Sequence, residues 1–237
     1  GAIMSRIGEA AAHFVEATLQ RDEIIGVSSW SETVLKMVEN IHPLKLGRAK
    51  YVVQTLGGMG DPTVQMHANH LTTRLAKLTG AEPRMLSAPG VAQSREAKLV
   101  LLGDSYLRAT MDLFSKITLA IVGVGTVVPS DMLARSGNVF SSHELSAVQE
   151  AGGTGDISLR FFDAHGNSIK SALDARVIGM TLEELGKVDR VIAVAGGQSK
   201  TAAIHGALKS KVIDILITDK FTAERLVAGA IKYDKGD

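Results

Sequence analysis

Five short apolar runs in this chain end in the same way, and that repetition limits the fold more than any other feature. Ile24-Ile25-Gly26-Val27 gives way to Ser28-Ser29-Trp30-Ser31, and Tyr51-Val52-Val53 to Gln54-Thr55-Leu56-Gly57-Gly58. Leu119-Ala120-Ile121-Val122 gives way to Gly123-Val124-Gly125-Thr126, and Val191-Ile192-Ala193-Val194 to Ala195-Gly196-Gly197-Gln198-Ser199-Lys200. The fifth run, Val212 to Ile217, stops at Thr218-Asp219. Each run is too brief for a helix and rich in β-branched residues, so each reads as a buried strand. Glycine or a small polar residue follows, and then usually a helical pattern. Strands alternating with helices predict an α/β fold with a mostly parallel sheet flanked by helices. Such a sheet gathers its carboxyl ends on one rim, where open α/β sheets bind ligands.

Composition narrows the chemistry. A length of 237 residues suits one large α/β domain, and with 45% hydrophobic but only 4% aromatic residues the core must be aliphatic. The 26 basic and 25 acidic residues leave a net charge of +1, which argues against this chain alone clamping a nucleic acid. The absence of cysteine excludes disulfides, a thiol nucleophile and thiolate metal sites. No basic segment precedes a long apolar stretch, and no run approaches the roughly 20 residues that cross a bilayer. The expectation is a soluble, cytoplasmic chain with no membrane partner.

Along the chain, helical spacing covers residues 3–20, 32–40, 64–78, 93–101, 104–116, 199–208 and 221–230, with Pro43 and Gly47 closing the second of these. A short helix is expected near Ser130 to Ala134, and Ser141 with Glu144 forms a capping-box pattern before a helix to Gln149. Residues 151–175 change character. Gly152 to Asp156 reads as a glycine-rich lead into a strand over Ile157 to Phe162, a turn over Asp163 to Asn167, and a second, antiparallel strand. This segment is expected to be a small inserted β subregion over the rim of one domain spanning 1–237.

Several rim residues carry chemistry. Ser28, Ser29, Ser31 and Thr33 lie between a strand and a helix, where free backbone N–H groups and hydroxyls can hold an anion. An ordinary helix cap from Ser29 or Ser31 is the simpler alternative, and Glu32 opposes an anion there. Lys200 follows two glycines and falls in a first helical turn, where a cation opposes the helix dipole; it is either a surface lysine or the partner of a ligand anion or of a nearby carboxylate. The stretch from Ala195 to Thr201 is not a Walker A motif. Asp156 can accept from sugar hydroxyls or bond its own turn, and Gln54 at a strand end can read hydroxyls too. Gly123 opens a Gly-x-Gly with no third glycine, so no dinucleotide site is expected. His67 and His70 have helical metal spacing but no third ligand, so neither metal nor cofactor is expected.

In order, Gly26-Val-Ser-Ser-Trp-Ser-Glu-Thr33, Gln54-Thr-Leu-Gly-Gly58, Pro89-Gly90, Gly123-Val-Gly-Thr126, Gly155-Asp156-Ile157 and Ala195-Gly-Gly-Gln-Ser-Lys200 resemble the effector domain of SorC/DeoR-type bacterial transcriptional regulators. Ala203-Ile-His-Gly-Ala-Leu208 before Ile213 to Asp219 extends the likeness over nearly the whole chain. The resemblance implies a fold similar to glucosamine-6-phosphate deaminase and ribose-5-phosphate isomerase. It implies an effector-binding domain that senses a phosphorylated sugar and modulates DNA binding, not an enzyme and without catalytic residues. The alternative is a sugar-phosphate isomerase or deaminase on the same fold. The implied effector residues are Ser28, Ser29, Ser31, Thr33, Gln54, Gly123, Asp156 and Lys200. DNA contact is expected only through an N-terminal helix-turn-helix outside this chain, and the protein is expected to be a homo-oligomer, dimer or tetramer. Ser31 and Glu32 stand where the family loop commonly has glycine and a basic or small residue.

Overall fold

The computed structural model describes residues 2–44 and 49–233. Helix α1 (Ala2–Thr18) leads into β1 (Glu23–Val27), α2 (Glu32–Asn40), β2 (Ala49–Gln54), α3 (Pro62–Thr79) and β3 (Glu82–Arg84). Two short helices, α4 (Arg95–Leu101) and α5 (Ser105–Met111), precede β4 (Leu119–Val122) and β5 (Gly125–Thr126). Helices α6 (Asp131–Ser136) and α7 (Ser142–Glu150) carry the chain to β6 (Gly153–Ile157) and β7 (Arg160–Asp163). Then come α8 (Leu182–Leu185), β8 (Arg190–Val194), α9 (Thr201–Lys209), β9 (Ile215–Ile217) and α10 (Lys220–Tyr233). The Gly47 break expected after α2 lies outside the described residues.

Six strands form one parallel sheet in the order β3-β2-β1-β4-β8-β9. The chain builds outward from β1 to β2 and β3, then returns to lay β4 on the other side of β1. That reversal parts the loops after β1 and β4 and opens a crevice between them. Side chains alternate across the sheet. Ile25, Val27, Val52, Leu119, Ile121, Ile192 and Val194 pack under α1, α2 and α3, while Val53, Ala120, Val122, Val191 and Ala193 pack with Leu107, Leu185, Ala203 and Ile204 on the opposite face. All four residues of β4 are buried, as a strand covered on both faces requires.

Local signals set the helix ends. Ser31 caps α2, Asp61 caps α3 ahead of Pro62, and Gly80 closes α3 in the left-handed conformation at φ 68°. The capping box of Ser141 and Glu144 forms at α7. Strand β9 is shorter than its apolar run because Asp214 meets Val191 through its own N–H and, at 2.8 Å, its carboxylate before pairing begins.

The inserted region differs from the expected layout. β5, β6 and β7 form a separate antiparallel sheet. The strand expected over Ile157 to Phe162 is broken, because Ser158 and Leu159 turn the chain with φ of 51° and 63°. Gly152 to Asp156 is therefore mostly strand, and Asp163 to Asn167 forms the next turn. A third cluster, including Trp30, Leu56, Val127, Phe140, Phe161 and Val177, fastens this sheet to the main body. Among the described residues no helix is long and apolar enough to cross a membrane.

Helices α1 and α2 cross closely at Gly8. A Cβ there would lie 2.7 Å from the carbonyl carbon and Cβ of Lys36 and 2.9 Å from the Met37 nitrogen. In an open helix Gly→Ala stabilises by about 1 kcal/mol. Here the obstacle is mostly backbone, so Gly8→Ala is expected to destabilise by about 1–3 kcal/mol in urea unfolding. A gain in stability would show that α1 does not hold this approach to α2.

Candidate functional site at the carboxyl rim

The loop after β1 is fastened before any ligand arrives. The Ser29 hydroxyl donates to the Leu56 carbonyl at 3.0 Å, and the Trp30 indole N–H donates to the Gly57 carbonyl at 2.8 Å. Both carbonyls follow β2, so the loop is pinned to its neighbour. The Thr33 hydroxyl donates to the carbonyl of Val194, the last residue of β8, at 2.6 Å. That bond uses the Thr33 hydrogen, so the Ser31 hydroxyl 3.1 Å away donates to Thr33. The Ser31 oxygen also accepts the Val34 N–H at 3.4 Å as the cap of α2. One hydroxyl relay thus ties the start of α2 to the end of β8 across β4.

The loop after β8 owes its shape to two glycines. Gly197 adopts φ 99°, a conformation that favours glycine. Its N–H donates to the Asp219 carboxylate at 2.8 Å and to the Thr222 hydroxyl at 3.0 Å. Asp219 also accepts the Thr222 N–H at 2.9 Å, so the carboxylate at the start of α10 doubles as an anchor for this loop. A Cβ on Gly196 would strike Ile7 of α1 as well as Asp219 and Thr218. The chain then turns into α9 with Lys200 at its start.

Asp156 approaches from the inserted sheet. It pairs with Gly125, and a Cβ at Gly125 would collide with its carboxylate. The Leu159 N–H donates to Asp156 Oδ2 at 2.8 Å. Only 8% of the residue is exposed. Burial pushes its carboxyl up to about 6, against the pull of the Leu159 N–H and of Lys200. Burial pushes Lys200 down, against the opposing charges of Asp156 and Glu32. Among the described residues no ion pair within 4.0 Å joins these groups, so Asp156 and Lys200, both partly desolvated, act on each other through the field rather than by contact.

These elements enclose a cleft of about 740 Å³ at the carboxyl ends of β1, β4 and β8. That volume suits a small organic ligand. Of the residues expected from sequence, Ser28, Ser31, Thr33, Gly123, Asp156 and Lys200 line it together. Gly123 contributes by lacking atoms, since a Cβ there would collide with the Ser31 hydroxyl. Ser29 and Gln54 lie elsewhere. Ser29 is fully buried with its hydroxyl on Leu56. Gln54 is also buried, accepting from the Leu86 N–H at 2.8 Å and donating to Thr72 at 3.2 Å. Its amide binds α3 to the segment after β3 and has no free end for a sugar. Sequence reasoning missed Ser158, whose hydroxyl is 3.5 Å from that of Ser28, and the first turn of α1, where Ala2, Ile3 and Met4 edge the cleft. Nothing in Ile157-Ser158-Leu159-Arg160 marks a turn. His67 and His70 are exposed on α3, and no potential metal cluster occurs among the described residues.

Comparison with known proteins gives a uniform answer. The family model Sugar-bind, described as a "putative sugar-binding domain", matches residues 1–228. The deoxyribonucleoside regulator of Bacillus subtilis (strain 168) is 33% identical over 224 residues, covering 94% of this chain and 69% of the relative. The structure of the sugar-binding domain of the transcriptional regulator DeoR from Pseudomonas syringae pv. tomato is 36% identical with a TM-score of 0.73, covering 94% of this chain and 84% of that one. Full-length sorbitol operon regulator SorC from Klebsiella pneumoniae is 25% identical with a TM-score of 0.87, covering 95% of this chain and 72% of that one.

Asp156 gives the site a pH signature. Its carboxyl titrates near 6 in the fold and near 3.8 by reference, so the folded state holds the proton more tightly. The stability contribution is complete below about pH 4 and is lost as the pH rises through about 6. The full difference corresponds to about 3 kcal/mol or less. Asp156→Asn should therefore raise stability relative to wild type at pH 7.5, while the two unfold alike near pH 4. Parallel denaturation curves at both pH values test this, and an equal offset at each would remove the titration from the account.

Proposed function

The chain belongs to the sugar-binding domain family of bacterial SorC/DeoR-type transcriptional regulators, and from that premise we propose that the rim cleft holds a phosphorylated sugar as its effector. The supporting observation is the meeting of six chemically suitable residues from four parts of the chain in one cleft. The first turn of α2 offers the N–H groups of Glu32 and Thr33, since Ser31 already takes that of Val34. A phosphoryl group set there lies beside the Ser28 and Ser31 hydroxyls and within the field of Lys200. Asp156 accepts from a sugar hydroxyl in the cleft, and the bare Gly123 leaves room for the ring.

The domain reads its effector on behalf of a longer regulator. Residues 1–237 serve as the effector domain, and DNA is contacted through a helix-turn-helix outside this sequence. The regulator acts in the cytoplasm as a homo-oligomer, a dimer or tetramer. Effector binding shifts that assembly only by the difference in its affinity for the two states. No catalysis is assigned to the cleft. A second reading, isomerase or deaminase, draws on one observation: Asp156 and Lys200 are displaced from their ordinary pKa values toward each other within one cleft.

Lys200→Ala is expected to weaken sugar-phosphate binding at least tenfold by calorimetry while the unfolding midpoint changes little, since loss of one charge-assisted contact is worth about 1.5–3 kcal/mol. Unchanged affinity would remove Lys200 from the site. Incubation with pentose and hexose phosphates, followed by NMR, is expected to show binding without conversion. Sustained turnover would establish the enzyme reading.

A further inference from the structure

The charges around the cleft oppose the ligand that its geometry suits. Among the described residues, its lining carries Glu32, Asp131 and Asp156 against one cation, Lys200. The three carboxylates are placed differently. Asp131 is exposed on the first turn of α6. Asp156 is buried beneath β5, with one oxygen taken by the Leu159 N–H. Glu32 is half-buried at the first helical position of α2, immediately after its cap and beside the N–H groups that would meet a phosphate. Its charge acts on Lys200 across the cleft and on Lys36 one turn along. Lys36 is already paired with Glu39 at 2.8 Å. Glu32 thus competes with an incoming anion for both available sources of positive potential, the α2 terminus and Lys200.

We propose that Glu32 is a specificity-determining residue that discounts doubly charged phosphate esters in this cleft. With no ligand, its carboxylate supplies the negative charge that α2 and Lys200 favour. A sugar phosphate must enter against it, whereas an uncharged sugar meets no such opposition. The domain therefore answers to a phosphorylated effector only at high concentration, and the binding site of α2 is intact beneath the discount. This inference rests on the reading that the phosphoryl group sits at the start of α2.

The test is calorimetry at about pH 8, where a phosphate monoester is doubly charged. Wild type, Glu32→Gln and Glu32→Lys are each titrated with ribose 5-phosphate, glucose 6-phosphate, ribose, glucose and inorganic phosphate. Glu32→Gln should tighten binding of the phosphorylated probes about tenfold, and Glu32→Lys further, as a unit charge removed or reversed at cleft distances implies. Affinity for ribose and glucose should stay within about twofold. Sugar phosphates that bind wild type and both variants alike would overturn the role of Glu32 while leaving the phosphorylated effector in place. Sugar phosphates that bind the variants but not wild type would uphold Glu32 and overturn the phosphorylated effector. No binding of any phosphorylated probe to any of the three proteins would overturn both.

Discussion

Parallel pairing of β1 with β2 on one side and β4 on the other is the constraint on which the rest of the molecule depends. A parallel pair cannot be joined by a tight turn, so each connection must cross a face of the sheet and bring a helix with it. Both faces are then covered, and the strands must be apolar on both sides, as β4 is. Free polar backbone is left at the strand ends and along the outer sides of the two edge strands, β3 and β9. Every loop that leaves a carboxyl end therefore emerges on the same rim, and the reversal of strand order at β1 and β4 prevents two of them from closing over each other. The cleft follows from strand order, and its chemistry follows from which residues happen to leave those strands.

Much of this was legible in the sequence because the signals were local. The five apolar runs became strands, and the caps at Ser31 and Ser141 hold the helices they precede. The small inserted sheet was harder. Its hairpin turns on Ser158 and Leu159, neither of which carries the Asn-Gly signature of a two-residue turn with positive φ. At the rim, residue type gave a correct guess of polarity but not of direction. Gln54 ends β2 just as Val27 ends β1, yet its side chain turns inward to Thr72 and the Leu86 N–H. Ser29 lies one residue from a cleft-lining serine and faces Leu56 instead. Which side of a loop faces the cleft depends on the neighbouring loops, and those are distant in sequence.

Two desolvated charges give the cleft its character. Asp156 and Lys200 lie in surroundings that disfavour ionisation of each, and each is partly sustained by the field of the other. A site that needed only structural stability would replace both with apolar groups, since buried charges seldom repay their desolvation within the protein. Their retention fits a cleft whose polar groups are completed by a ligand. On the proposed reading, a sugar would supply hydroxyl donors to the carboxylate and a phosphoryl group a counter-charge to the ammonium.

The strained hairpin shows how the same groups serve structure and site together. Two consecutive residues with a Cβ in the left-handed region cost about 1–2 kcal/mol each. Two contacts offset that cost. The Leu159 side chain is buried with Trp30, Val127, Phe140 and Phe161, and its N–H bonds to Asp156. Asp156 therefore has one oxygen that shapes the turn, while the residue also lines the cleft. The turn in turn brings the Ser158 hydroxyl to that of Ser28 in the loop after β1. The hairpin tip thus touches both the Asp156 carboxylate and the Ser28 loop at the edge of the cleft.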